Sequence, residues 1–237
     1  ILYRQYLQWI ADDQWADARR GAAGVALFGD LPFMVSGDSA DVWARQDEFR
    51  FDASVGVPPD AFSPSGQDWG VPVYRWDVIA PRGFGWLRER GRRSAALFDG
   101  CRVDHLVGFY RTYFRPHDGS EPQFTPDDQE AQTRLGERVL EVLRQSGAEI
   151  VAEDLGTVPD ILRESLARVG VAGCKVMRWE RHWQRDGQPF KDPVEYPATA
   201  VGTSGTHDTE PMAVWWESAP SAEREAVLAI PSVAERL

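Results

Sequence analysis

Four short apolar runs in this chain each lead directly into ionisable residues, and this recurrence restricts the fold more than any other feature. Val25–Phe28 is followed by Gly29 and Asp30, and Cys101–Val103 by Asp104 and His105. Glu149–Ala152 runs into Glu153 and Asp154, and Ala200–Gly202 precedes Gly205-Thr206-His207-Asp208. Lys175–Met177 is a fifth run of strand type. Between them lie stretches with helical spacing. Leu2 to Arg20 repeats Leu2, Tyr6, Trp9 and Ile10 on one face before Gly21 ends it. Phe84 to Phe98 is a second helix, and a third opens at Thr125, with Pro126, Asp127 and Asp128 in its first turn, and closes at Gly147. Pro159 to Val169, stopped by Gly170, and Ser221 to Leu237 complete the set. Strands alternating with helices pair in parallel through right-handed crossovers, so the class is α/β.

In a β/α barrel the C-terminal strand ends converge on one face, where the chemistry sits. A doubly wound sheet also collects polar groups at strand ends, but usually with a glycine-rich phosphate loop, and Gly83-Phe84-Gly85 is too short to be one. The expected fold is therefore a (β/α)8 TIM-type barrel. Five strands are visible and the chain opens inside a helix, so residues 1–237 read as one incomplete barrel domain covering roughly strands 3 to 7. The stretch from Arg50 to Asp77 holds Pro58-Pro59, Gly66, Gly70 and Pro72 and reads as a long, turn-rich loop. Loops of this length inside compact domains tend to be functional.

Composition narrows the partners. With 26 Lys and Arg against 37 Asp and Glu, the net charge of −11 argues against nucleic acid and anionic membrane surfaces. No apolar run approaches the roughly 20 residues of a membrane helix, and no signal peptide opens the chain. Cys101 and Cys174, each in an apolar run, read as reduced, buried thiols of a cytoplasmic protein. Ten Trp is a high number, which fits either sugar-binding faces or core packing.

Asp104, Glu153 and Asp208 each follow an apolar run. Three carboxylates on one face suit a divalent cation, glycosyl chemistry or mere helix capping, and pattern alone leaves all three open. No two of His105, His117, His182 and His207 are two apart, so no His-x-His metal pair exists, although an all-oxygen cation site remains open. Glycosyl transfer needs one ionised carboxylate aimed at the anomeric carbon and one protonated carboxyl at the leaving oxygen. In a retaining geometry the two lie about 5–5.5 Å apart. Arg102, two residues before Asp104, shares its face of the strand and supplies a cation to keep it ionised.

Seven blocks then stand in one order: Gly29-Asp30-Leu31-Pro32-Phe33, Asp38-Ser39-Ala40-Asp41-Val42-Trp43, Gly56-Val57-Pro58-Pro59-Asp60, Ser65-Gly66-Gln67-Asp68-Trp69-Gly70, Arg102-Val103-Asp104-His105, Ala152-Glu153-Asp154-Leu155-Gly156 and Gly205-Thr206-His207-Asp208. Together they closely resemble the 4-alpha-glucanotransferases (amylomaltase, or disproportionating enzyme) of the alpha-amylase clan, over about Leu2 to Trp216. The resemblance implies that Asp104 is the nucleophile, Glu153 the general acid/base and Asp208 the transition-state stabiliser, with His207 in the same subsite. It also implies that Arg102 attends the nucleophile and that Asp30 contacts the donor sugar. Asp60, Gln67, Trp69 and His105 match acceptor-side positions, and Phe62 adds an aromatic surface over the glucan. The implied partners are maltooligosaccharides and other α-1,4-glucans, plus the remainder of the same barrel, with no metal or organic cofactor. A hydrolase of the same clan, or a non-catalytic glucan-binding fragment, is the alternative. The family's N-terminal section, which supplies a tyrosine to the cleavage subsite, has no counterpart here. Ala61 stands where some relatives carry an aromatic residue, and Thr209-Glu210 stands where others have Asn-Asp.

Overall fold

The computed structural model describes residues 1–59 and 63–236, which form two compact units, Ile1–Ser165 and Leu166–Leu237. The first unit opens with α1 (Leu2–Gly21), β1 (Phe28–Leu31), α2 (Ala40–Ala44), β2 (Phe49–Val57), β3 (Gln67–Tyr74) and α3 (Trp76–Ile79). It continues with α4 (Gly85–Leu97), β4 (Gly100–Val103), α5 (Val107–Tyr110), β5 (Thr112–Pro116), β6 (Gln123–Thr125), α6 (Gln129–Arg144) and β7 (Glu149–Ala152). The boundary falls within α7 (Asp160–Val169). The second unit holds β8 (Ala172–Val176), β9 (Val201–Thr203), α8 (Met212–Ser218), α9 (Ser221–Leu228) and α10 (Pro231–Ala234).

β1, β4 and β7 pair in parallel, as do β8 and β9 in the second unit, so the α/β class and its parallel pairing hold. A second layer was not foreseen. The stretch from Arg50 to Asp77, read above as a loop, contains the hairpin β2–β3, part of an antiparallel sheet in the order β3-β2-β5-β6. The Ser54 hydroxyl donates to Asp68 Oδ1 across the hairpin (2.6 Å), and Gly56 is required at its crossing, where a Cβ would lie 2.0 Å from the Gln67 carbonyl oxygen. Several boundaries also move, among them the run read as Lys175–Met177, which is Ala172–Val176. Gly29 and Asp30 lie inside β1 rather than beyond it, and Thr125 pairs with Thr112 in the antiparallel sheet. The third helix therefore starts later, with Asp128 as the N-cap, accepting from the amides of Glu130 (3.2 Å) and Ala131 (2.7 Å). The last predicted helix is divided into α9 and α10 at Pro231, which lacks an amide hydrogen.

The first unit's core is aromatic and takes in two of the ten tryptophans. Phe33, Tyr74 and Phe109 are fully buried, with Phe33 and Phe109 edge to face at 4.8 Å. Trp76 and Trp86 are buried around them and place their N–H groups on Thr112 Oγ1 (3.1 Å) and Asp41 Oδ1 (3.0 Å). Trp43, by contrast, is 78% exposed. α6 packs Leu135, Val139, Leu140 and Leu143 inward, with Gly136 against the Tyr110 ring, where a Cβ would come within 2.2 Å. Among the described residues no helix is long and apolar enough to cross a membrane.

Candidate active site

Register brings the first group of candidates together. Asp30 on β1 is the direct neighbour of Arg102 on β4, which in turn neighbours Val151 on β7. The ladder runs one step past the strands, Asp104 N–H to Leu31 O and Glu153 N–H to Val103 O, both at 3.0 Å. Because side chains alternate along a strand, Asp104 and Glu153, two residues beyond Arg102 and Val151, project to the same side as Asp30 and Arg102.

Arg102 then joins the carboxylates. Its Nε and Nη2 reach the two oxygens of Asp30 at 3.1 and 3.0 Å, and Nη2 also donates to Asp104 Oδ1 at 2.7 Å. Burial opposes the guanidinium charge, but Asp30 and Asp104 outweigh it and raise the Arg102 pKa. Glu153 is held differently. Its Oε2 accepts the His105 amide at 2.8 Å and its Oε1 the Leu155 amide at 3.0 Å. Burial, with Asp104 adding to it, pushes the Glu153 carboxyl above the usual range against the pull of those amides and of Arg102.

His105 has a left-handed backbone, φ 43°, uncommon for any residue but glycine. Its imidazole lies between Phe33 and Trp69, with ring centroids 5.6 and 4.8 Å away, and burial holds its pKa down to about 4. Gln67 and Trp69 sit two apart on β3, with Trp69 Nε1 donating to Gln67 Oε1 at 3.0 Å. The hairpin thus meets the strand-end cluster at His105. Asp60 and Phe62 lie outside the described residues.

His207 and Asp208 belong to the second unit and are described there. A short hydroxyl turn carries them: the Thr206 amide donates to Thr209 Oγ1 (2.9 Å) and the Asp208 amide to Thr206 Oγ1 (3.2 Å). His207 Nε2 lies 3.3 Å from Asp208 Oδ2, and both side chains are exposed. Arg178, which sequence reasoning missed, fastens both flanks of this turn through the Ser204 carbonyl (3.2 Å), Glu210 Oε1 (2.6 Å) and the Glu210 carbonyl (3.0 Å). A cation directly after the Lys175–Met177 run was the available signal. Phe33, under His105, was missed because an apolar residue in a motif looks like core.

A space of about 40 Å3, bounded by Pro58, His105, Arg111, Tyr113 and Thr157, adjoins the first cluster and is large enough for water but not for a sugar ring. Arg111 enters it with Nε buried and unbonded and its guanidinium 4.5 Å from the Phe124 ring centre. A space of about 550 Å3 around Arg50, Asp52, Phe114 and His117 includes none of the candidate carboxylates. Among the described residues no three His, Cys, Asp or Glu side chains gather as a metal site would require.

These features define an α/β protein with an acidic site at the C-terminal ends of its parallel strands, the edge where such folds carry their chemistry. The sequence profile of the 4-alpha-glucanotransferase family matches residues 1–235, and the chain belongs to that family. It is 33% identical over 230 residues to the 4-alpha-glucanotransferase of Chlamydia pneumoniae, an overlap of 95% of this chain and 43% of that protein. The corresponding protein of Chlamydia caviae is 35% identical over 218 residues, 91% of this chain and 41% of its own length. The fold matches Streptococcus agalactiae amylomaltase, solved in complex with acarbose, with a TM-score of 0.77 at 27% identity, over 91% of this chain and 45% of that one. The chain therefore spans less than half the length of these relatives.

Proposed function

We propose that the protein is a retaining 4-alpha-glucanotransferase that moves an α-1,4-glucan segment from a donor to the 4-hydroxyl of an acceptor glucan or glucose. One observation carries this reading: adjacent strand ends hold two carboxylates in opposite surroundings, Asp104 against the Arg102 cation and Glu153 half-buried with a raised pKa. Such divergence is how paired carboxylates divide the roles of nucleophile and acid. Asp104 attacks the anomeric carbon, and the glycosidic C–O bond breaks as its oxygen takes the Glu153 proton. The acceptor 4-hydroxyl then returns a proton to Glu153, and its oxygen displaces Asp104, so two inversions give net retention. No step calls for a metal ion or organic cofactor.

Asp208, with His207 beside it, stabilises the distorted ring, and Asp30 contacts the donor sugar while bracing Arg102. Gln67, Trp69 and His105, with Asp60 and Phe62, form the acceptor side, and an acceptor bound there excludes the water that would hydrolyse the intermediate. The amylomaltase fold match supports reading β1, β4, β7, β8 and β9 as strands 3 to 7 of a (β/α)8 barrel. The buried cysteine thiols, Cys101 and Cys174, suit the reducing cytoplasm. The test is incubation of the full-length protein with maltotriose. Longer maltooligosaccharides plus glucose are expected; maltose and glucose without elongation would make it a hydrolase, and glucan binding without any product would remove the catalytic reading.

A further inference from the structure

We propose that Trp69 is a positioning residue for Glu153, acting through His105: its indole keeps His105 in the backbone conformation that aims the His105 amide at the Glu153 carboxyl. The inference rests on Glu153 being the acid/base of the proposed reaction, and it gives Trp69 a different task from that of a sugar platform.

The contacts form a continuous chain. A left-handed backbone at a non-glycine residue persists only where its surroundings over-determine it. At His105 two rings flank the imidazole. Phe33 is 1% exposed and locked by Phe109, so one side of the clamp is core. Trp69, 36% exposed on β3, closes the other side at 77° to the imidazole. The indole N–H is already satisfied by Gln67, which fixes the ring rather than leaving its donor for a ligand. The imidazole is neutral above about pH 4, so shape rather than charge holds it. The product of this clamp is the 2.8 Å bond from the His105 amide to Glu153 Oε2. Within the first unit the charges acting on that carboxyl are Asp104, which raises its pKa, and Arg102, which lowers it. Arg102 is shared with Asp30, and the neighbouring Asp154 faces Arg163 at 3.6 Å.

An amide donated to a carboxylate stabilises the anion, so withdrawing it raises the pKa. The first step needs Glu153 protonated, and loss of that proton sets the alkaline limb of kcat/KM. In the full-length protein, Trp69→Leu should therefore move the alkaline limb to higher pH and lower kcat on maltotriose about 10- to 100-fold. Trp69→Phe, which restores an aromatic edge, should return both toward wild type. With α-maltotriosyl fluoride, whose fluoride leaves without an acid, the first-turnover fluoride burst of Trp69→Leu should keep its wild-type rate, which also shows that the variant is folded. Glu153→Gln assigns the limb: if that variant keeps it, the acid/base reading and this inference fall together. If Glu153→Gln abolishes the limb but Trp69→Leu leaves it in place and only raises KM for acceptor, the positioning role alone is refuted. A slowed fluoride burst in Trp69→Leu refutes it too.

Discussion

Around Arg102 charged side chains meet one another; around Arg178 one buried side chain meets backbone. Arg102 bridges Asp30 and Asp104, side chain to side chain, and all three stay partly open to solvent. Arg178 is 7% exposed and spends two of its three bonds on the carbonyls of Ser204 and Glu210, either side of the turn bearing Asp208. Both arginines organise a motif that contains an aspartate, yet the first acts on the carboxylate's charge and the second shapes the peptide that carries it. Two aspartate motifs that stand out alike in sequence thus rest on unequal physics, electrostatic at Arg102, which the sequence revealed, and architectural at Arg178, which it did not.

The harshest way to probe this contrast is to remove the reactive oxygen itself. If Asp104 is the nucleophile proposed above, Asp104→Asn should cut kcat on the order of 10^4-fold or more, because no neighbouring group takes over its attack. The cation contacts would survive in weakened form, so the melting temperature should stay close to wild type; near-normal turnover in a folded variant would overturn the assignment. A gentler probe exchanges the arginines for leucine. Arg102→Leu should reduce turnover about 100-fold while costing about 1 kcal/mol or less in stability, since the carboxylates it leaves are solvated. Arg178→Leu should do the reverse in order of effect, costing about 2 kcal/mol because two carbonyls and a carboxylate lose their partner, with half-exposed Glu210 limiting the loss. Urea unfolding beside maltotriose turnover measures both, and equal stability losses would erase the distinction between tuning and shaping.

How much of this was readable follows the same line. Glu149–Ala152 is predicted to the residue, because the apolar Ile150-Val151-Ala152 between a glycine turn and two acids has few other fates. Asp30 inside β1 was not readable: aspartate disfavours strands, and only its neighbour Arg102, 72 residues away, makes the position tolerable. The hairpin was masked by its own composition, since Pro72 and Gly70 signal turns, and the irregular pairing that admits Pro72 opposite Ser54 is set by tertiary contacts. The motif residues at the strand ends stood out by chemical type. The left-handed backbone of His105 and the amide it turns toward Glu153 did not, because no side-chain pattern encodes that dihedral angle.

The subtlest probe concerns the cost of keeping an acid half-buried. Glu153 has a folded-state pKa above its ordinary 4.5, with burial the leading cause. Below that ordinary value the group is protonated whether folded or not and contributes nothing to pH dependence. As pH rises from there, the unfolded chain ionises first, and folding must increasingly either take up a proton or bury the charge at a site that resists it. Stability therefore drains away through the interval between the two pKa values and stays lowered above it. Glu153→Gln removes this titration. The amide cannot accept from both His105 and Leu155, so the variant carries a constant penalty of its own, but a constant offset has no slope. The difference in melting temperature, variant minus wild type, should climb as pH rises past the ordinary carboxyl pKa of 4.5 and level off once the folded carboxyl has ionised. A difference that stays flat, or falls, across that range would mean that Glu153 is no more reluctant to ionise than a surface glutamate. The contrast between a tuned acid on one strand end and a cation-paired aspartate on the next would then be lost.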